Sequence, residues 1–260
     1  MPPLLTSEMN QASATQPRQT MRGHTDWVTG VAHLPGGRRI ITCSHDGSLR
    51  LWDLESGVQI GNDWRDDGKE AMTSIALSPN GKSVASGSMA GKVRLWDVET
   101  KKVVAIWTGH TAIVLSLCWS VDGERLVSGS DDDTIRVWDV ESGDTVLGPI
   151  KPGHERESVH AVIYSPDTTK IATSGYWDAA LKIWDAKTGN LLSTIKLELA
   201  SAVFSLAWTS DKKKLIAGTY TSIRILDTAT WQQIAILEGH TCYLSLLVSE
   251  RPPPCECIRR

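Results

Sequence analysis

The sequence predicts an all-β protein: a β-propeller of four-stranded antiparallel blades, with five recognisable blades and an incomplete last one. Three observations carry that expectation. Trp-Asp pairs stand at 52-53, 96-97, 138-139 and 184-185, and Leu226-Asp227 continues the series, at spacings of 44, 42, 46 and 42 residues; such a period marks a propeller blade or a helical array. A second ladder, Gly-His at 23-24, 109-110, 153-154 and 239-240, covers 216 residues in five periods. Inside each unit, short stretches rich in Val, Ile, Leu and Trp are cut every few residues by turn formers, which leaves no room for a helix of about ten residues.

The unit beginning at Gly109 shows the elements in order. Strands are expected over Ile113 to Trp119, Arg125 to Ser128, Thr134 to Trp138 and Thr145 to Ile150, separated by turns such as Val121-Asp122-Gly123 and Ser142-Gly143. Pro79-Asn80-Gly81 and Pro35-Gly36-Gly37 supply equivalent hairpin turns in other units. A single four-stranded unit cannot bury both its faces, so units pack face to face and blades of one size close into a ring. The expected division is a disordered N-terminal tail (1-15), a propeller (16-249) and an irregular C-terminal tail (250-260). Its repeats lie near 23-64, 67-107, 109-151, 153-197 and 198-237, with a partial one at 239-249.

Composition excludes several function classes. The 260 residues carry 27 Lys and Arg against 30 Asp and Glu, which argues against binding nucleic acid or an anionic membrane by bulk electrostatics. Lys212-Lys213-Lys214 reads as a solvated turn. The five cysteines, at 43, 118, 242, 255 and 257, include no C-x-x-C pair, so no disulfide framework, zinc site or other metal is expected, and Cys255-Glu256-Cys257 reads as inert. The segment Gly87 to Val93 has three residues between its glycines and ends in Val, so it is a hairpin and not a phosphate loop. With no cofactor motif, no signal-peptide core and no apolar run of membrane-spanning length, the chain is expected in the cytoplasm or nucleus. One entry is abnormal: 11 tryptophans stand beside four tyrosines and a single phenylalanine.

The succession of Gly-His, strand, turn, small-residue strand, Asp turn and Trp-Asp resembles the WD-repeat (WD40) family, over about residues 17 to 249. Four residues recur in step in the first, third and fourth units: His24, Thr42, Asp46 and Trp52; His110, Ser128, Asp132 and Trp138; His154, Ser174, Asp178 and Trp184. The resemblance implies a structural tetrad in which the indole N–H donates to the hydroxyl, the hydroxyl to the imidazole and the imidazole to the carboxylate. A hydroxyl, His and Asp together also invite a hydrolase reading. A catalytic set occurs once, however, whereas this one recurs three times and accepts Thr for Ser, so no catalytic residue is assigned. The second unit has Gly68 or Lys69 for His and Ala90 for Asp, and the fifth has Leu199 for His and Leu226 for Trp. Both are expected to be held mainly by apolar packing and to be softer, since a half-satisfied buried network is worse than none.

The expected function is a non-catalytic protein–protein interaction scaffold that presents a propeller face to protein or peptide partners. Carried onto this chain, the family's partner-facing positions are Trp27, Thr29 and His45; Ala71, Thr73 and Met89; Ile113, Leu115 and Asp131; Ser158, His160 and Trp177; and Ala202 and Phe204, the fifth turn residue being unassigned. Trp27, Met89, Leu115, Trp177 and Phe204 are large and apolar on a face expected to be wet, the composition of a binding hot spot. An alternative rests on Ile171 to Gly175, Asp178, Leu181, Ile183, Trp184, Asp185 and Lys187, similar to the box of substrate receptors of cullin-type ubiquitin ligases. After Gly239-His240-Thr241 the chain reads into Pro252-Pro253-Pro254 with about 20 residues left where a blade needs roughly 43. The expectation is a shortened member of a longer propeller, with self-association through the open ring edge a further possibility.

Overall fold

The computed structural model describes residues 20–66, 68–153, 158–175, 180–197 and 202–238, and every regular element among them is a β-strand. The first sheet comprises β1 (Val28–His33), β2 (Arg39–Ser44) and β3 (Leu49–Asp53). The second comprises β4 (Met72–Leu77), β5 (Ser83–Ser88), β6 (Val93–Asp97) and β7 (Val103–Trp107). The third comprises β8 (Val114–Trp119), β9 (Arg125–Ser130), β10 (Ile135–Asp139) and β11 (Thr145–Ile150). The fourth comprises β12 (Val159–Tyr164), β13 (Lys170–Gly175), β14 (Ala180–Asp185) and β15 (Leu191–Lys196). The fifth comprises β16 (Val203–Trp208), β17 (Lys214–Thr219), β18 (Ser222–Asp227) and β19 (Gln233–Glu238).

Each sheet is an antiparallel meander in chain order, because the links between strands are short turns and strands joined that way pair with their neighbours. The first sheet is the weakest at its rim. Residues 59–64 hold the outer place through two isolated bridges, Trp52 with Gln59 and Leu49 with Trp64. Gly61, at a φ of +74°, turns the chain between them and interrupts the ladder.

The first strands of successive sheets pack on one another, β1 on β4, β4 on β8, β8 on β12 and β12 on β16. The sheets therefore follow one another as the blades of a propeller. Gly30 permits the first approach, since a Cβ there would lie 2.6 Å from Ile75 Cγ2. Hydroxyls stitch the same seams: Thr29 Oγ1 donates to the Met72 carbonyl at 2.9 Å and Thr73 Oγ1 to the Val114 carbonyl at 2.6 Å.

The core lies between blades. Ile41, Cys43, Leu49 and Leu51 of the first blade pack against Met72, Ile75, Val84 and Trp96 of the second, and the pattern repeats around the array. Two tryptophans outside the Trp-Asp series find their place here. Trp64 packs on Trp96 with ring centroids 6.5 Å apart, and Trp107 stacks on Trp138 at 5.8 Å. Each outer-strand indole thus covers the Trp of the following blade's third strand. The Cys43 thiol is fully buried in this core, and burial pushes it up to about 12, which makes it chemically inert.

Trp64 and Trp96 differ in one respect. The Trp96 indole N–H donates to Ser86 Oγ at 2.8 Å, whereas Trp64 Nε1 is buried without a partner. Replacing either by Phe removes the same volume, but only Trp96→Phe also strips a buried hydroxyl of its donor. Trp96→Phe is therefore expected to cost about 1 kcal/mol more than Trp64→Phe, as read from urea midpoints of the two variants.

Candidate functional site

The loops that carry the face are set by two complete polar chains. In the first blade the Trp52 indole N–H donates to Thr42 Oγ1 at 2.8 Å, Thr42 Oγ1 lies 2.7 Å from His24 Nε2, and His24 Nδ1 lies 2.9 Å from Asp46 Oδ2. The third blade repeats this with Trp138, Ser128, His110 and Asp132 at 2.8, 2.7 and 2.9 Å. An ionised carboxylate only accepts, so Nδ1 carries the proton and the hydroxyl donates to Nε2. Each hydroxyl is consumed by the indole and the imidazole. Thr42 and Ser128 are also buried, which leaves neither reachable as a nucleophile.

The carboxylates do a second job. Burial pushes Asp46 up, but hydrogen bonds from Ser48, His24 and the Thr25 N–H outweigh it and hold the carboxyl well below the usual carboxylate range. For Asp132, burial is likewise outweighed by His110, Thr134 and the Thr111 N–H. Each Asp thereby ties the Gly-His loop to its own turn. Burial in turn lowers His24 against the raising effect of Asp46.

In the fourth blade the structure corrects the sequence reading. The Trp184 indole donates to Thr173 Oγ1 at 3.0 Å and not to Ser174, whose Oγ donates to the Val203 carbonyl of the next blade at 3.0 Å. Trp184 pairs with Ile171, thirteen residues back, whereas Trp52 pairs with Ile40, twelve back, so counting ten residues back from Trp184 lands on the opposite face of the strand. His154, Asp178 and Trp177 lie outside the described residues, as does Leu199 of the fifth blade.

The second blade also departs from expectation. Where the His and Asp are lost, Arg94 is buried and paired with Asp66 and with Glu70 at 2.7 Å, and Lys92 meets Glu70 at 2.5 Å. An ionic cluster, and not apolar packing alone, holds its entry loop. Arg94 belongs to a ladder that the motif search passed over: Arg50, Arg94, Arg136, Lys182 and Arg224 each stand two residues before the Trp or Leu of the repeat. The ladder secures outer strands and loops. Arg50 Nη1 donates to Gln59 Oε1 at 2.6 Å, Arg224 Nη1 to Gln233 Oε1 at 3.1 Å, and Lys182 Nζ to the Gly153 carbonyl at 2.8 Å. The shared period was the available signal.

On the face itself, one cross-strand bond closes the loop end in each of the first three blades: His45 N–H to the Trp27 carbonyl at 2.9 Å, Met89 N–H to Ala71 at 3.0 Å, and Asp131 N–H to Ile113 at 2.9 Å. These pairs present their side chains outward. Trp27 is 65% exposed and stacks on His45 with centroids 5.8 Å apart, and Met89 is 48% exposed. Asp131 is exposed, and Ile113 and His160 are half-buried. Between the first two blades, Arg65 Nη1 donates to the Asp46 carbonyl at 2.7 Å, and Gly47 leaves so little room that a Cβ would lie 3.2 Å from the Lys69 backbone. Trp27 and Met89 thus stand on braced neighbours.

Leu115 and Phe204 are not on the wet face. They are 8% and 4% exposed, because inner-strand side chains at that depth are covered where blades converge. Thr73, Ser158 and Ala202 are buried too, and Thr29 spends its hydroxyl on the seam. The unassigned fifth turn residue is Tyr220, whose ring meets Phe204 edge-on at 4.7 Å, with His160 6.0 Å from Phe204 on the other side.

A family model described as "WD domain, G-beta repeat" matches residues 15–53, 65–97, 101–139 and 147–185. The chain is 44% identical over 46 residues to nuclear distribution protein PAC1 of Yarrowia lipolytica, covering 18% of this chain and 10% of that protein. It is 41% identical over 61 residues to a protein LST8 homolog of Drosophila pseudoobscura pseudoobscura, covering 24% and 19%. A probable E3 ubiquitin ligase complex SCF subunit, sconB of Arthroderma otae, is 43% identical over 42 residues, covering 16% and 6%. The similarity therefore spans a fifth or less of the length of these curated relatives.

Two outcomes follow from the polar chains. A group whose folded pKa is depressed gives stability that is present above its unfolded pKa and lost as pH falls through the folded one. Stability should therefore decline first as pH drops below about 6.5, where unfolded His24 protonates, and again below about 3.8, as Asp46 and Asp132 lose their advantage. Urea unfolding across pH checks this, with His24→Gln expected to reduce the first decline and keep the second. In the fourth blade, Thr173→Val should cost about 1–3 kcal/mol by orphaning the Trp184 indole, and Ser174→Ala less, because it removes a donor and leaves a carbonyl; denaturation midpoints of the pair decide it.

Proposed function

The chain belongs to the WD-repeat family, and on that premise we propose that it is a non-catalytic interaction scaffold whose face around Trp27, His45 and Met89 holds a protein or peptide partner. The family match, and a relative whose name makes it a subunit of a ubiquitin ligase complex, support an interaction role in general. The site assignment is carried by one observation, the 65% exposure of Trp27 on a ring already stacked against His45. Nothing in the repeat requires an indole there. A large side chain left in water on a braced backbone loses little conformational freedom when a partner covers it, which is the physical basis of an aromatic hot spot.

The half-buried His160 and Tyr220 flank the same face on the fourth and fifth blades. They offer polar edges beside the buried Phe204, suited to orienting a peptide more than to anchoring it. Asp131 and Ile113 contribute the third blade's share. We place the protein in the cytoplasm or nucleus, where the buried thiols of Cys43 and Cys118 stay reduced.

A second reading, a substrate receptor of a cullin-type ubiquitin ligase, is supported by the similarity to the SCF subunit and by Lys187, which is exposed beside Asp185 on the turn after β14. The two readings use different surfaces, so Lys187→Glu and Trp27→Ala separate them. Affinity capture with mass spectrometry on the full chain and both variants is the experiment. Trp27→Ala should leave the melting temperature unchanged and weaken the principal partner by about 30-fold or more, the mark of a hot spot of roughly 2 kcal/mol. An interaction profile unaltered by Trp27→Ala would remove this face from consideration.

A further inference from the structure

The face around Trp27 continues from the first blade into the third. Two close approaches carry it across. Gly47 of the first blade lies against the second, where a Cβ would stand 3.2 Å from the Lys69 backbone, and Gly91 of the second lies against the third, where a Cβ would stand 2.5 Å from the His110 carbonyl oxygen. Each blade presents one pair of side chains there. The stacked rings of Trp27 and His45 show that the two members of a pair stand side by side. Ala71 with Met89, and then Ile113 with Asp131, repeat the same cross-strand bond.

The third pair ends this apolar run with a carboxylate that the fold does not use. A turn Asp is ordinarily explained by the N–H groups of its own turn, as Asp53, Asp122 and Asp185 are by those of Glu55, Glu124 and Lys187. Asp132 is explained as well: one oxygen accepts from the Thr134 N–H and hydroxyl, the other from His110 and the Thr111 N–H. Asp131 is exposed, and its carboxylate accepts from nothing among the described residues. Asp144 is free in the same way but lies at the other end of β10, beside Asp139 and away from the face. The repeat does not require an acid at this place, since His45 and Met89 hold it in the first two blades.

We propose that Asp131 selects the charge of the partner: the face holds an extended peptide whose apolar side chains cover Trp27 and Met89 and whose lysine or arginine reaches Asp131. The inference rests on the reading of this face as the binding surface and adds what that surface recognises. The Asp132 carboxylate stands one residue away, and its hydrogen bonds keep it ionised and unable to turn outward. A cation at Asp131 is drawn by both charges, whereas an acidic side chain there would meet two carboxylates. Lys69, exposed at the first of the two approaches, repels a cation at that end and so fixes which way the peptide runs. Asp131 stays at the wet edge, so the pair sets selectivity and encounter rate, while the covered indole supplies most of the affinity.

Selection of displayed random peptides on the full chain, and on its Trp27→Ala, Asp131→Asn and Asp131→Lys variants, tests the idea. All three variants are expected to keep the native melting temperature, since the Asp131 carboxylate makes no bond within the fold and Trp27 is in water. The native chain should enrich peptides that pair Lys or Arg with large apolar residues, and Asp131→Lys should exchange the basic preference for Asp or Glu. A recovered basic peptide should bind Asp131→Asn about fivefold more weakly than the native chain, and that difference should shrink in high salt. Enrichment of acidic or uncharged peptides on the native chain, no enrichment at all, or the same charge preference in Asp131→Lys overturns the proposal. Peptides that need Trp27 but are indifferent to Asp131 overturn this inference alone and leave the binding face standing. Peptides indifferent to both remove the face as well.

Discussion

Four of the five blades are built around an indole at the end of the third strand: Trp52, Trp96, Trp138 and Trp184. A four-stranded sheet has two faces and can bury neither alone. Trp96 and Trp138 solve half of that problem with bulk, filling the gap that widens between blades toward the rim, where Trp64 and Trp107 reach across from the preceding outer strand. The same ring carries one N–H, and in a dry seam that donor has to be met. The hydroxyl of the second strand meets it, and in the first and third blades the imidazole of the Gly-His loop meets the hydroxyl and the carboxylate of the Asp turn meets the imidazole. Packing at the rim is thus coupled to loop geometry at the face, and the loops become platforms for recognition.

The blades show that the coupling admits more than one chemistry. The first and third use an imidazole beside a carboxylate. In the second, the buried Arg94 reaches the carboxylates of Asp66 and Glu70, with Lys92 completing a cluster of two cations and two anions. Both solutions tie the entry loop to the third and fourth elements of the motif, but by different physics. The imidazole relay is short and directional, whereas the ionic cluster depends on keeping every charge paired, because a buried guanidinium stripped of a partner is strongly destabilising. Losing the His and Asp together therefore did not leave that blade to apolar contacts.

Much of this was legible in residues read one period at a time. The Trp-Asp ladder, the Gly-His ladder and the hairpin turns mark strands with side chains that alternate in environment, so fold class follows from local pattern. Two kinds of feature escaped for geometric reasons. Parity is one: a strand residue faces one seam or the other according to odd or even count, and a single extra residue between the register partners of β13 and β14 moved Ser174 to the seam facing Val203 and put Thr173 under Trp184. Depth is the other. Leu115 and Phe204 occupy positions homologous to wet-face residues, yet blades converge toward the axis and cover them, a property of the assembled blades that no single repeat contains. The cationic ladder from Arg50 to Arg224 escaped for a plainer reason, since a basic residue in a polar-looking strand is read as surface until its partners, Gln59 and Gln233 among them, are seen.

The exposure of Trp27 then acquires meaning from its surroundings. An indole in water is unremarkable when it hangs from a mobile loop. Here its carbonyl accepts from the His45 N–H, its ring rests on the His45 imidazole, and the turn that carries His45 is fixed through Asp46 to His24, Thr42 and Trp52 and through Arg65 to the neighbouring blade. Holding an apolar ring in solvent on so constrained a backbone keeps its hydration cost in the free protein and removes most of the entropy cost of ordering it on binding. Both effects favour the covered state. The tetrad that makes the blade stable is, by the same bonds, what makes the ring ready for a partner.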